Sequence, residues 1–270
     1  MKVGLALGGG SARGLAHIGV LEVLEKENIP FDMIAGTSAG ALIGALYACG
    51  SSAVEIKKTI TSVSLIDRAR MIDLALPKTG LIAGERIKKM LKELIGEAEF
   101  NDLRIPFSCV ATDIVTGEEV VIDHGSVVEA VRASISIPAV FTVVKYEGRF
   151  LVDGGLSNPV PVSVLKEMGA DFTIAVNVIP TISKRHPSRG KKSAGVKNEK
   201  EPNIFNVLMN MIDITDNRLA KSSTSVADIV IEPDTSDIGP SDFNRAREII
   251  LKGELAATDA IPGLKKRLSL

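Results

Sequence analysis

Short apolar runs alternate with helix-length segments along most of this 270-residue chain. The first run, residues 3–7, leads into three glycines and then into a segment whose apolar residues recur at helical spacing. This run and the next, residues 31–36, are largely apolar on both faces, as in strands that lie between two layers of helices. The alternation therefore predicts a mainly parallel sheet covered by helices on both sides. Length alone is compatible with one large domain or two small ones.

Two segments in the middle of the chain predict antiparallel strand pairs. Their turns, at residues 116–117 and 147–148, contain glycine and are flanked by short apolar runs. Residues 52–55 have the spacing of a capping box, which marks the start of a helix. Apolar periodicity predicts long helices at 205–223 and 242–261. These elements complete the expected α/β pattern.

Composition excludes several classes of protein. Lysine plus arginine number 32 and aspartate plus glutamate 33, so the net charge of −1 indicates no nucleic-acid partner. Cys49 and Cys109 lie among small and apolar residues, which is typical of buried thiols in a reducing compartment and suggests no metal site. The apolar run at 3–7 is shorter than that of a signal peptide, and no stretch approaches about 18 consecutive apolar residues. We therefore expect a soluble, cytoplasmic protein.

One segment is strongly basic. From Lys184 to Lys200 the chain carries seven lysines or arginines and one glutamate, with no apolar periodicity. This composition predicts a mobile loop at about residues 180–202. One interpretation is a solvated linker. The other is a flap that contacts the anionic headgroups of a membrane through residues 184–200.

A glycine-rich loop follows the first strand. Gly8, Gly9 and Gly10 allow a ligand to approach the backbone closely, and the helix start behind them presents unpaired N–H groups that favour an anion. That anion could be a dinucleotide pyrophosphate or a developing oxyanion, and a plain tight turn is the third interpretation. Arg13 stands where a dinucleotide fingerprint counted from Gly8 has its last glycine, and no P-loop Lys-Ser/Thr follows.

A serine flanked by glycines follows the second strand. Gly36-Thr37-Ser38-Ala39-Gly40 lies between a strand and a helix of small residues, which is the order that a nucleophile elbow requires. The alternative is that Ser38 is only a helix N-cap. A dinucleotide-binding fold would normally end this strand in an acidic residue, and this strand ends in glycine and serine.

A serine nucleophile needs a base. Asp153 follows an apolar strand and precedes Gly154 and Gly155, so it is either a hairpin turn residue or a carboxylate made more basic by burial. The chain has three histidines, none of which lies in a recognisable motif: His17, His124 and His186. A carboxylate can act as the base in place of histidine if it is desolvated and well placed.

Together, these blocks resemble the patatin-like phospholipases. The glycine-rich loop, GTSAG about 25 residues later, ASISIP and DGG occur in that order, and residues 4–48 are especially similar to small bacterial members. The likeness spans roughly residues 1–175 and is weaker beyond them. It implies a three-layer α/β/α sandwich and hydrolysis of acyl esters of lipids, with neither metal nor organic cofactor. We therefore expect a single domain over residues 1–270.

The resemblance also implies roles for individual residues. Ser38 matches the family's nucleophile and Asp153 its base, so the catalytic unit is a dyad. The expected oxyanion loop comprises Gly8, Gly9, Gly10 and the supporting Arg13, and the glycines that keep the two motifs compact are Gly36, Gly40, Gly154 and Gly155. By the geometry of an elbow, the N–H of Ala39 is a second candidate donor.

Three further features complete the expectation. Ser11 departs from the family, because many relatives have another glycine there and a serine adds a Cβ to the loop. Ser134 and Ser136, in ASISIP, are interpreted as helix-end caps near the wall of the site.

The expected partner is a lipid or lysolipid ester. The alternative to catalysis is a regulator that keeps the fold and binds lipid or a partner protein.

Overall fold

The computed structural model describes residues 1–62, 80–82, 84–181 and 204–270. The strands within these ranges are β1 (Val3–Leu7), β2 (Met33–Thr37), β3 (Gly80–Ile82), β4 (Phe107–Asp113), β5 (Glu119–Ile122), β6 (Ala139–Phe141), β7 (Val144–Tyr146), β8 (Arg149–Asp153), β9 (Phe172–Val176) and β10 (Ile229–Ile231). The α-helices are α1 (Ala16–Lys26), α2 (Ala39–Ala48), α3 (Ala53–Ser62), α4 (Glu85–Ile95), α5 (Val127–Ser134), α6 (Val162–Glu167), α7 (Ile204–Thr224) and α8 (Ala246–Leu268).

The central sheet has the strand order β10-β9-β1-β2-β4-β8-β7, and β5 also pairs with β4. The five strands from β10 to β4 are parallel to their neighbours. The two hairpins predicted in the middle of the chain are present, and they add the antiparallel strands β5, β7 and β8. The sheet is therefore parallel in the half from β10 to β4, where helices connect the strands. It is antiparallel at β5, β7 and β8, where short turns connect them. β3 and β6 form a separate parallel pair.

Helices cover both faces of the sheet, so the three-layer α/β/α prediction is confirmed. In β1, Leu5 and Leu7 pack into one apolar core with α1, α2, α5 and α8. Ala6, between them, belongs to a second core that includes residues of α6 and Ala220 of α7. Since successive side chains of a strand point to opposite faces, this segregation is what a doubly covered sheet requires.

Local sequence signals account for several helix boundaries. The backbone N–H of Ser52 donates to Glu55 Oε2 at 2.8 Å, and Glu55 N–H donates to Ser52 Oγ at 3.3 Å, which is the predicted capping box. The final helix was expected to end at residue 261. It continues to Leu268 past Pro262, because buried Leu264 and Leu268 extend its packing face.

The basic segment at 184–200 lies outside the described residues, as does nearly all of the predicted loop at 180–202. In the part of the chain that the structure does describe, no helix is both long enough and apolar enough to cross a bilayer.

Candidate active site

Ser38 sits in a sharp turn between a strand and a helix. β2 ends at Thr37 and α2 begins at Ala39, and Ser38 between them has φ 53° and ψ −119°, a conformation that is rare for a residue with a side chain. A Cβ at Gly36 would lie 2.6 Å from the Cα of Ala41, so only glycine fits at the start of the turn. The Ser38 side chain makes no N-cap hydrogen bond. The arrangement is that of a nucleophile elbow rather than of a simple helix cap.

Asp153 faces Ser38 from the end of β8. The Ser38 hydroxyl donates a hydrogen bond to Asp153 Oδ2 at 2.5 Å, and both side chains are buried. The N–H of Gly155 donates to the other carboxylate oxygen at 2.9 Å. A Cβ at Gly154 would lie 2.3 Å from the carbonyl oxygen of Val110, so this glycine lets the turn pack against β4. The carboxylate is thus held by the local turn and directed at the serine.

Burial raises the pKa of Asp153 to about 6 from its ordinary value near 3.8. The hydrogen bonds from Ser38 and Gly155 oppose this rise, because both stabilise the ionised form. At neutral pH the group is therefore ionised, yet more basic than an exposed aspartate. This is the property that a carboxylate needs to accept a proton from a hydroxyl.

The ASISIP segment holds the backbone on both sides of this pair. The N–H of Ser38 donates to Ser134 Oγ at 2.9 Å, and the Ser134 hydroxyl donates to the carbonyl of Val110 at 2.6 Å. The N–H of Asp153 donates to the carbonyl of Ser136 at 2.9 Å. The Ser136 hydroxyl does bond the end of its own helix, donating to the carbonyl of Arg132 at 2.7 Å. The helix-end interpretation missed the contacts of Ser134, because its partners lie in distant parts of the chain.

The glycine loop passes beside Ser38, where a Cβ at Gly9 would lie 3.4 Å from the Ser38 Cβ. The amides of the loop are not equivalent. The N–H of Gly8 donates to a carbonyl of β9 at 3.0 Å, and that of Gly9 donates to the carbonyl of Pro159 at 2.8 Å. Within the described residues, the N–H groups of Gly10 and Ser11 make no hydrogen bond, and both residues line the cavity at Ser38.

The loop is held by side chains that reach the C-terminal part of the chain. Buried Arg13 donates from Nε to the carbonyl of Ile238 at 2.8 Å and pairs with Asp213 at 3.2 Å. The hydroxyl of Ser11 donates to the carbonyl of Pro240 at 2.7 Å. Burial lowers the pKa of Arg13 to about 10, so the guanidinium stays charged at neutral pH. Arg13 supports the loop through these bonds and also lines the cavity at Ser38.

Neither described histidine contacts Ser38. His17 is fully buried beneath the glycine loop, with Nε2 2.7 Å from the carbonyl of Gly8. Burial lowers its pKa to about 4, so the ring is neutral and Nε2 carries the proton that Gly8 accepts. His124 is exposed between Asp123 and Glu147. His186 lies outside the described residues.

A cavity of about 200 Å³ opens onto Ser38 and Asp153. Besides the glycine loop, its walls come from the ends of the sheet, from the segment at Pro240 and from α7; its apolar lining residues include Ile137, Leu156, Ile179, Met209 and Ile212. The contribution of α7 could not be foreseen, because it lies more than 150 residues beyond Ser38 in sequence.

The chain resembles known proteins in sequence and in fold. The sequence model of the family described as patatin-like phospholipase matches residues 5–166, which contain the glycine loop, the elbow and the Asp153 turn. The chain belongs to the patatin-like phospholipase family. It is 32% identical, over 230 residues, to an uncharacterized NTE family protein of Mycobacterium tuberculosis, covering 84% of this chain and 58% of that protein.

Other patatin-like relatives are much longer. Lysophospholipase NTE1 of Scheffersomyces stipitis is 30% identical over 263 residues, which is 92% of this chain but 17% of the yeast protein. Among solved structures, VipD from Legionella pneumophila superposes with a TM-score of 0.61 at 13% identity, covering 97% of this chain and 66% of VipD, and so shares the fold. The chain thus spans little more than half the length of its mycobacterial relative.

Proposed function

We propose that this patatin-like protein hydrolyses acyl esters of lipids, with Ser38 as the nucleophile and Asp153 as the base. The observation that carries the proposal is the 2.5 Å hydrogen bond from the Ser38 hydroxyl to the buried Asp153 carboxylate. A serine in a strained turn, directed at a carboxylate of raised pKa, is built for proton transfer. The same pair argues against a purely lipid-binding regulator, which has no use for an activated hydroxyl.

The proposed reaction has two steps. Asp153 accepts the Ser38 proton while Oγ attacks the ester carbonyl, and the tetrahedral intermediate collapses to an acyl-enzyme as the alcohol leaves with that proton. Asp153 then takes a proton from water, which attacks the acyl-enzyme, and Ser38 recovers its hydrogen as the fatty acid leaves. One carboxylate serves both steps, so no histidine is needed.

The proposed oxyanion donors are the N–H groups of Gly10 and Ser11. They line the cavity and make no hydrogen bond within the described residues, whereas those of Gly8 and Gly9 are already bonded to carbonyls. Removal of one such donor costs about 2.7 to 4 kcal/mol in comparable acyl-transfer enzymes. The N–H of Ala39, at the start of α2, remains the second candidate.

The proposed substrate is a phospholipid or a lysophospholipid. Fungal relatives are named lysophospholipases, which favours a lipid with one acyl chain. The cavity of about 200 Å³ is smaller than the roughly 300 to 1,000 Å³ of sites that enclose a whole drug-sized ligand. It would therefore take the region around the scissile ester and leave most of the lipid outside.

The test is active-site labelling with a fluorophosphonate, together with hydrolysis of p-nitrophenyl butyrate and lysophosphatidylcholine. We expect wild type to be labelled and to turn over both esters, Ser38→Ala to lose labelling and turnover, and Asp153→Asn to lose turnover. Ser108→Ala is the matched control, since it removes a buried hydroxyl that is not a hydrogen-bond partner of Ser38 or Asp153.

Two outcomes would count against the proposal. Folded wild type that is neither labelled nor active would favour the regulator, and binding of lysophosphatidylcholine without hydrolysis would then identify it as a lipid-binding one. Labelling that persists in Ser38→Ala would place the reactive serine elsewhere. Circular dichroism of each variant separates loss of chemistry from loss of fold.

A further inference from the structure

Helix α7 carries apolar side chains on its solvent face. Five of its large apolar residues are exposed, from 37% for Val207 to 75% for Ile204. They follow the spacing i, i+3, i+4, i+7 and i+10, so they form one stripe, which we call the α7 stripe: Ile204, Val207, Leu208, Met211 and Ile214. A surface helix of a globular protein normally turns its apolar residues inward, so a stripe of exposed apolar residues departs from the usual pattern.

Two acidic residues of α7 are on its inner side. Asp213 and Asp216 line the cavity at Ser38, and Asp213 pairs with Arg13 at 3.2 Å. Met209 and Ile212, from the same turns of the helix, are apolar parts of the cavity wall. One face of the helix therefore borders the proposed catalytic cavity while the adjoining face presents the α7 stripe.

The charged side chains of α7 all lie after residue 212. Residues 204–212 include no charged side chain. Arg218 lies seven residues after Met211, on the same face, and Lys221 follows in the next turn; both are exposed. Among the described residues, neither has a carboxylate within salt-bridge distance. Apolar turns that end in two unpaired cations suit an interface between acyl chains and anionic headgroups.

We propose that the α7 stripe, with Arg218 and Lys221 at its end, docks on the surface of a lipid bilayer that contains anionic lipid. The stripe spans about 15 Å at 1.5 Å per residue, a length suited to a helix that lies in the plane of the interface. The proposal rests on the proposed function, since the bilayer is also the source of the ester. A second copy of the chain would bring further Arg218 and Lys221 side chains to the same surface, which favours anionic lipid as the occupant.

The test is flotation with vesicles, using Ser38→Ala as the background so that no lipid is consumed. We expect the protein to float with phosphatidylcholine vesicles containing 30% phosphatidylglycerol. Adding Leu208→Glu with Met211→Glu should lower partitioning by at least about tenfold, because burial of two large apolar side chains is lost. The matched control is Leu251→Glu with Leu255→Glu, at positions on α8 that are at least as exposed, which should float like the background.

The two cations give an independent measurement. Arg218→Gln with Lys221→Gln should reduce binding to anionic vesicles by on the order of tenfold and leave binding to pure phosphatidylcholine unchanged. In catalytically intact protein, the α7 stripe variant should lose hydrolysis of vesicle lipid and keep hydrolysis of p-nitrophenyl butyrate within about twofold, because Leu208 and Met211 are outside the cavity lining.

Three results would overturn the proposal: an α7 stripe variant that floats like the background, an α8 control that loses flotation equally, or a lipid-free dimer that the stripe variant dissociates. Fluorophosphonate labelling does not depend on vesicles, so labelled protein that fails to float would refute docking and retain the proposed hydrolase. Protein that floats, loses flotation when the α7 stripe is substituted, and is not labelled would refute the proposed hydrolase and retain docking.

Discussion

The surroundings of Asp153 give this carboxylate the basicity that the proposed role of proton acceptor requires. The carboxylate is buried. It accepts one hydrogen bond from the N–H of Gly155, in its own turn, and another from the Ser38 hydroxyl. Desolvation raises its pKa and the two hydrogen bonds moderate the rise. The result is a base that stays ionised at neutral pH and still has a stronger affinity for a proton than a surface aspartate.

We predict that kcat/KM for p-nitrophenyl butyrate rises with pH through a single ionisation near 6. The pKa of Asp153 is raised to about 6, so below that pH the carboxyl is protonated and cannot accept the Ser38 proton; above it, activity reaches a plateau. The measurement is a pH–rate profile from pH 4.5 to 8, with circular dichroism at each pH to exclude unfolding. A profile already flat at pH 5 would contradict the assignment of Asp153 as a base of raised pKa.

At the scale of elements, α1 and α8 approach each other closely. A Cβ at Gly19 of α1 would lie 2.0 Å from the carbonyl oxygen of Ile250, and a Cβ at Gly253 of α8 would lie 1.9 Å from that of Ala16. The two helix backbones therefore touch directly at this pair of glycines. The crossing matters for the site because α1 begins immediately after the glycine loop and carries His17 beneath it.

We predict that Gly253→Ala destabilises the protein by about 1 to 3 kcal/mol, because the methyl group forces the helices apart. Gly263→Ala, in the same helix but with no atom within 4 Å of the added Cβ, should instead be neutral or stabilise by up to about 1 kcal/mol. Urea denaturation of both variants measures the difference. Equal effects at the two positions would show that helix propensity, rather than contact with α1, decides the result.

At the scale of the molecule, the C-terminal part of the chain holds the N-terminal glycine loop. The carbonyls of Ile238 and Pro240 accept hydrogen bonds from Arg13 and Ser11. Arg245 anchors the segment that supplies these carbonyls, donating to the backbone and the carboxylate of Asp237 at 2.7 and 2.6 Å. The family match ends at residue 166, so this support lies beyond the matched region.

We predict that Arg245→Ala lowers kcat for p-nitrophenyl butyrate by roughly tenfold and changes KM by less than about twofold, since the oxyanion donors are displaced while the cavity remains. Arg247→Ala, an exposed neighbour of the same type, is the control and should behave like wild type. Arg245→Lys should recover part of the rate through its contact with Asp237. If Arg245→Ala shifts only the urea midpoint and leaves kcat unchanged, the segment stabilises the fold without positioning the loop.

Predictions from sequence succeeded where the structure depends on residues close along the chain. The elbow at Ser38, the hairpin turns and the 52–55 capping box follow from local sterics and periodicity, which a few adjacent residues specify. Ser134 and Arg13 could not be assigned their partners, because Ser38 lies 96 residues from Ser134 and Ile238 lies 225 residues from Arg13. The residues next to a serine or an arginine in sequence do not indicate which distant group its hydroxyl or guanidinium will bond after folding.

The sequence by itself therefore determined the α/β class, the order of the main strands and helices, and which serine and which aspartate are candidates for chemistry. Only the tertiary structure decided which amides of the glycine loop remain unbonded, how far burial raises the pKa of Asp153, and that α7 forms a wall of the cavity with its apolar stripe outward. The physical reason is range: periodicity and turn sterics act over a few residues, whereas desolvation and competition for hydrogen bonds depend on every segment packed around a group.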